Sequence, residues 1–227
     1  MSYECKCIES LIAAADAGDI SAMQNFVVET LSSEEWDDNP VIIEKRNEYI
    51  EVLAREGKPE GFIFLGDIFL QGISVKKDVD KAIDYYELAA NCGETFGYEI
   101  IAEIYIKGED APLNYEKAYE LLDRSSELNN GVLRSDSGYY FMGEMYYFGL
   151  GVAKDWNKAK KSYKKIIRKY GNTGSDYYWK ACARLASIYE SVNDPDYKVY
   201  VENLKKVTKK HTEGMSDEQI KDSLGRY

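Results

Sequence analysis

The chain has 227 residues, 44% of them hydrophobic, with 20 Tyr, 4 Pro and a formal net charge of −11. This supplies a sizeable core for one domain or one continuous array and suits a helical chain, while the acidity argues against wholesale nucleic-acid binding. Met1 to Leu11 has no basic segment followed by an apolar run, and no stretch reaches the ~20 apolar residues that span a bilayer, so neither a secretory leader nor a membrane span is expected.

The charge is polarised. Residues 1–60 carry 5 Lys/Arg against 14 Asp/Glu, residues 61–135 carry 7 against 14, and residues 136–210 carry 15 against 8. Two readings stand: solvated helix faces that differ in sign, or complementary halves that let copies associate head to tail. The cysteines are Cys5, Cys7, Cys92 and Cys182. Only one pair is close, and a lone Cys-x-Cys with one His in the chain falls short of the four ligands of tetrahedral zinc. Free thiols in a reducing cytoplasm are expected, with no metal.

In chain order, an opening helix is expected near 8–17, then helices near 21–31 and 41–55, joined by the linker Ser32 to Pro40. Ala15-x-x-Gly18, Ala54-x-x-Gly57 and Ala90-x-x-Gly93 mark helix stops, since glycine just past a helix adopts the left-handed conformation without a Cβ penalty. An internal repeat then emerges. A small residue recurs in the first helix of each unit as Gly66, Ala102, Gly143 and Ala186. An aromatic follows three residues later: Phe69, Tyr105, Tyr146 and Tyr189. Three further on, the first three units have Gly72, Gly108 and Gly149, with Gly151 as a second loop glycine in the third. Lys81-Ala82, Lys117-Ala118 and Lys158-Ala159 mark the second helices. Asp78, Asn114 and Asp155 precede each Lys by three and are expected as N-caps. The small column should let two helix backbones approach, with the aromatics filling the space beside it.

The chain divides as 1–58 (an opening helix and a degenerate repeat), three repeats at 59–93, 94–130 and 135–171, a degenerate repeat at 175–209, and a tail at 210–227. Two insertions, around Asn129 to Arg134 and Asn172 to Ser175, are expected as loops. Ser216-x-x-Gln219 has the form of a capping box opening a short helix, 217–224.

The pattern Leu-Gly-x-x-aromatic-x-x-Gly, then Val-x-x-Asp-x-x-Lys-Ala, then Tyr, then Ala-x-x-Gly resembles the Sel-one-like repeat, a relative of the tetratricopeptide repeats. Its best copy runs from Met142 to Tyr163. The resemblance implies an all-α fold, a right-handed α/α solenoid of antiparallel helix pairs, with first helices lining a concave face and second helices a convex one. It also implies a non-catalytic scaffold or adaptor that binds a protein or peptide.

On that orientation, Asp67, Glu103 and Glu144 form an acidic column beside the small residues. Phe62, Tyr98 and Tyr139 form an aromatic column, with Glu99 and Tyr140 next to it and Tyr147 four after Gly143. If these line a groove, it suits a basic, partly apolar partner such as an effector or toxin. The other reading makes the aromatics inter-repeat core and the acids a solvated face. The basic helix Lys154 to Lys169 offers an alternative surface for nucleic acid or for another copy. No catalytic residues are identified. The lone His211 lies in a charged segment, no phosphate-cradling glycine loop is present, and no cofactor is implied.

Overall fold

The computed structural model describes residues 3–36, 38–170, 175–192 and 197–224. The expected insertion at Asn172 to Gly174 lies outside them. Among the described residues there are helices and turns only: α1 (Tyr3–Asp16), α2 (Ile20–Leu31), α3 (Pro40–Arg55), α4 (Pro59–Gln71), α5 (Val79–Asn91), α6 (Phe96–Lys107), α7 (Tyr115–Leu128), α8 (Asp136–Phe148), α9 (Trp156–Tyr170), α10 (Asp176–Val192), α11 (Lys198–His211) and α12 (Asp217–Leu224). None of them is long and apolar enough to cross a membrane. The sequence reads as one array, whereas residue contacts divide the chain into two compact units, 1–98 and 99–227, parted near the start of α6.

In the first unit, consecutive helices α1 to α5 pack in turn. The core gathers Ile8, Phe26, Val27, Tyr49, Ile50 and Leu53, all buried. Phe26 meets the Tyr49 ring edge-on at 5.2 Å. The Tyr49 hydroxyl donates to Asp16 at 2.7 Å, and Lys45 pairs with the same carboxylate at 2.7 Å, tying α3 to α1. The linker after α2 forms a short 3-10 turn over Glu34–Trp36. Asn39 then caps α3, accepting from the amides of Val41 and Ile42, with Pro40 in the first turn, where a missing N–H costs nothing.

The three repeated loops close in the same way. The amides of Asp78, Asn114 and Asp155 donate to the carbonyls of Phe69, Tyr105 and Tyr146, each nine residues earlier. The side chains of the same three residues accept from Lys81, Lys117 and Lys158 amides at 3.0, 2.9 and 3.0 Å, which are the expected N-caps. Each of those lysines folds back over the repeat aromatic: Nζ lies 3.9 Å from the Phe69 centroid, 4.5 Å from Tyr105 and 5.0 Å from Tyr146. The Lys column and the aromatic column are therefore partners in a repeated cation–π contact. Ser74, which stands where the third repeat has Gly151, takes a positive φ of 57° against 66° for that glycine.

In the second unit, α8 packs on α7, α9 and α10, and α10 on α9 and α11. Ile101, Leu122, Met145, Tyr163, Ile166 and Leu185 are fully buried. Cys182 is buried as well, and burial pushes its thiol up to about 12, with a Tyr178 hydrogen bond partly opposing the shift. Because the thiolate is the nucleophile, Cys182 should resist alkylation by iodoacetamide at pH 8 in the native protein, whereas exposed Cys92 reacts. Peptide mass mapping before and after denaturation checks this. Labelling of both cysteines at equal rates would contradict the packing of α10.

Candidate functional site

The small-residue column sets the local geometry. A Cβ built on Gly66 would lie 2.4 Å from the Tyr86 ring, and one on Gly143 would lie 2.4 Å from the Tyr163 ring. Each tyrosine stands twenty residues after its glycine and reaches the acid that follows the glycine. Tyr86 donates to Asp67 at 2.7 Å, and Tyr163 to Glu144 at 2.6 Å. Burial raises the Asp67 carboxyl above its ordinary range, and the Tyr86 hydrogen bond partly offsets this. Tyr163 is raised well above the ordinary phenol value by its own burial and then by the neighbouring Glu144 charge. In the middle repeat the equivalent residues are Ala102 and Leu122, with no hydroxyl, and Glu103 pairs instead with Lys107 one turn on, at 2.8 Å.

The acidic column is thus occupied from within the chain. Glu144 is 1% exposed and also accepts from Arg184, Nε at 2.8 Å and Nη2 at 2.7 Å, in a bidentate pair. Burial alone would depress the guanidinium, but its bonds to Glu144 outweigh that and hold it charged. Glu99 is buried too. It accepts from the Ser125 hydroxyl, the amides of Arg134 and Ser135, and the Ser135 hydroxyl, so it pins the end of the inserted 129–134 loop and the N-cap of α8 to α6.

The aromatic columns divide between core and surface. Tyr98 and Tyr139 are buried; the Tyr98 hydroxyl donates to Asn91, and the Tyr139 hydroxyl accepts from the Leu133 amide. Phe62 is half-buried. Tyr147 is half-buried as well, stacked near Trp156 at 6.1 Å with the Arg184 guanidinium 5.5 Å from its ring. Tyr140 is 2% exposed, and its ring lies 5.4 Å from Tyr177.

Tyr140 leads to a feature that the spacing does not announce. Its hydroxyl donates to the main-chain carbonyl of Leu224 at 2.8 Å, and Arg184 Nη2 donates to the same oxygen at 3.0 Å. Leu224 is the last residue of α12. Beside it lies a cleft of about 470 Å³, whose lining includes Lys107 of α6, Tyr140 and Phe141 of α8, Tyr177 and Lys180 of α10, and the α12 end, Asp222 to Leu224. α6, α8 and α10 are first helices of their repeats, and Tyr115 at the start of α7, a second helix, adds to the lining. Lys180 is lowered from its ordinary value by burial, with Asp176 opposing, and lies 5.2 Å from the Tyr177 ring.

Arg184 was hidden in plain sight. It stands two residues before Ala186, in a column otherwise made of Phe64, Ile100 and Phe141. A lone charge in an apolar column indicates a buried ionic partner. A second, more open hollow of about 640 Å³ lies between the inserted loop, Tyr139, Lys165 and Arg168. The basic face of α9 is partly taken up locally, with Lys160 and Lys164 lying 5.6 and 5.4 Å from the Tyr189 ring. Among the described residues no group of three or more His, Cys, Asp or Glu is placed to hold a metal ion.

Comparison with known proteins bears on the repeats. The Sel1 repeat family matches residues 63–94, 100–130 and 136–168. Among curated proteins none matches the sequence. Two solved structures share the fold. One is a Sel1 repeat protein from Oxalobacter formigenes, with TM-score 0.69 and 21% identity, covering 90% of this chain and 78% of that one. The other is c5321, described as a protective antigen of uropathogenic Escherichia coli with an SLR fold. It matches with TM-score 0.69 and 18% identity, covering 90% of this chain and 41% of the antigen. The phase of glycine, aromatic, N-cap and Lys-Ala in the three matched segments agrees with these likenesses, and the chain is an all-α helical-repeat protein that carries three Sel1 repeats.

Proposed function

We propose that the chain is a non-catalytic protein-interaction module and that its 99–227 unit takes a peptide segment of a partner in the cleft floored by α6, α8 and α10. Sel1 repeats generally serve as protein–protein interaction scaffolds. One observation carries the finer reading: two donors at the cleft, Tyr140 and Arg184, converge on a main-chain carbonyl, the group every peptide presents.

The sequence favours a basic partner, on the strength of the acidic column. The packing supports the opposite sign for this cleft. Glu144 is bound by Arg184 and Tyr163 and Glu103 by Lys107, so the cleft's own lining sets Lys107 and Lys180 against the single acid Glu109 beside the α12 end. The partner segment is then acidic or neutral, with apolar side chains for Phe141 and Tyr177. The same proposal places the protein in a reducing compartment such as the cytoplasm, where Cys7, Cys92 and Cys182 remain thiols.

Affinity capture from the source cells tests the cleft. Tagged wild type should retain a protein that Lys107→Glu/Lys180→Glu loses at least fivefold, with helicity unchanged by circular dichroism. Both lysines lie on the rim, so reversal changes charge without emptying the core. Equal capture by both chains would overturn the cleft. Capture of nucleic acid alone, released at moderate salt, would shift the contact to the basic face of α9.

A further inference from the structure

The cleft already has an occupant at one side. α12 runs from Asp217 to Leu224 and opens with a reciprocal cap, the Ser216 amide donating to Gln219 Oε1 at 2.7 Å and the Gln219 amide to Ser216 Oγ at 3.2 Å. None of its residues is buried, although Ile220, Ser223 and Leu224 are half-covered. An eight-residue helix is marginal in water on its own, and α12 has little packing to add. Its C-terminal end is held, however. The last carbonyls of a helix have no intrahelical donor, and here the Leu224 carbonyl finds a phenol and a guanidinium. A cation at that end also complements the helix dipole. The segment carries Asp217, Glu218 and Asp222 against Lys221, and Asp222 lines the cleft together with Lys180.

From these contacts we infer that α12 is a ligand in cis for the peptide cleft, and that the partner which displaces it presents the same chemistry. That chemistry is a short acidic helix with an apolar edge, ending with its C-terminal carbonyls on Tyr140 and Arg184. This inference rests on the cleft reading above and adds its occupant and its regulation. The tether from His211 to Asp217 is short, so the local concentration of α12 at its seat is on the order of millimolar. A partner in trans must outcompete that. The tail therefore sets a threshold, excluding weak acidic helices and admitting those that bind more tightly or arrive tethered to a larger contact.

The test uses the full chain and a fluorescein-labelled synthetic peptide with the sequence of residues 213–227, followed by fluorescence anisotropy. Ile220→Lys/Leu224→Lys should unseat α12, because both side chains are half-covered and two cations are added to a segment whose end is held by Arg184 and lies in the same cleft as Lys180. The unseated chain is expected to bind the peptide at least tenfold more tightly than wild type, and adding Lys180→Glu should remove the gain. Amide exchange over 217–224 should rise in the variant while α8 and α10 keep their protection. Equal peptide binding by both chains would overturn the inference, as would no binding by a variant whose circular dichroism matches wild type. If the peptide result fails while partner capture still depends on Lys107 and Lys180, the gating falls and the cleft stands. If capture is indifferent to both lysines, the cleft itself falls.

Discussion

Arg184→Met is expected to destabilise the 99–227 unit by roughly 3–5 kcal/mol, the usual consequence of leaving one member of a buried ion pair behind. The thermal midpoint should fall by roughly 6–20 °C, at about 2–4 °C per kcal/mol for a chain of this size. Glu144 is the group left stranded: it is 1% exposed, and Arg184 supplies two of its hydrogen bonds. Neutralising it should therefore help. Arg184→Met/Glu144→Gln is expected to recover more than half of the loss, since the amide oxygen still accepts from Tyr163 and no charge remains buried. Thermal melts of the two single variants and the double variant measure the coupling. Additive losses would show that the pair does not act as a unit. The same geometry decides how charge reversal at Glu144 should be interpreted. Glu144→Lys would set two cations against each other in the core, so lost binding in that variant would report unfolding.

The second large effect belongs to Gly143. Glycine within an exposed helix costs about 0.5–1 kcal/mol relative to alanine, so propensity alone predicts that Gly143→Ala stabilises. Packing predicts the opposite. The first added carbon would lie 2.4 Å from the Tyr163 ring, which is fully buried and fixed through its hydroxyl to Glu144. Gly143→Ala should lower the midpoint, and Gly143→Leu should lower it further, with a stability loss of about 1–3 kcal/mol or more from overpacking. Gly66→Ala should behave like Gly143→Ala, because Tyr86 stands at the same 2.4 Å. A midpoint unchanged in Gly143→Leu would refute the helix register of α8 on α9.

Much of the fold was legible because the repeat is written in local spacing. The caps at Asp78, Asn114 and Asp155, the helix stops and the capping box at Ser216 each depend on residues within four positions of one another. The bounds of α2, α3 and α12 followed to within one residue, while α1 begins at Tyr3, five residues before the expected 8. The chemistry of the cleft was less legible. Glu144 and Glu99 are acids, and acids on helices are usually solvated, yet both are buried against donors 35–40 residues away in sequence. No periodicity encodes such a pairing. What the residues did offer was a lone arginine in an apolar column and a tyrosine four positions after each Lys-Ala alanine wherever the small residue is glycine. The seat of Leu224 against Tyr140 spans 84 residues and uses a main-chain oxygen, which has no residue type at all.

The Gly–Tyr–acid set also restricts the order in which these repeats can change. Two repeats hold Gly66, Asp67 and Tyr86 or Gly143, Glu144 and Tyr163, while the middle one holds Ala102, Glu103 and Leu122. Converting the first state into the second by replacing glycine first drives a carbon into the ring. Replacing tyrosine first leaves a cavity and an acid that has lost its phenol, half-buried at Asp67 and fully buried at Glu144. Glu144 keeps its counter-charge in Arg184, whereas Asp67 has Gln71 at the position where Glu103 finds Lys107. For the first repeat the accessible route is therefore lysine on the surface, then tyrosine to leucine, then glycine to alanine. Once alanine is in place the ring can return only after glycine does, so the helix contact remembers the order in which its residues changed.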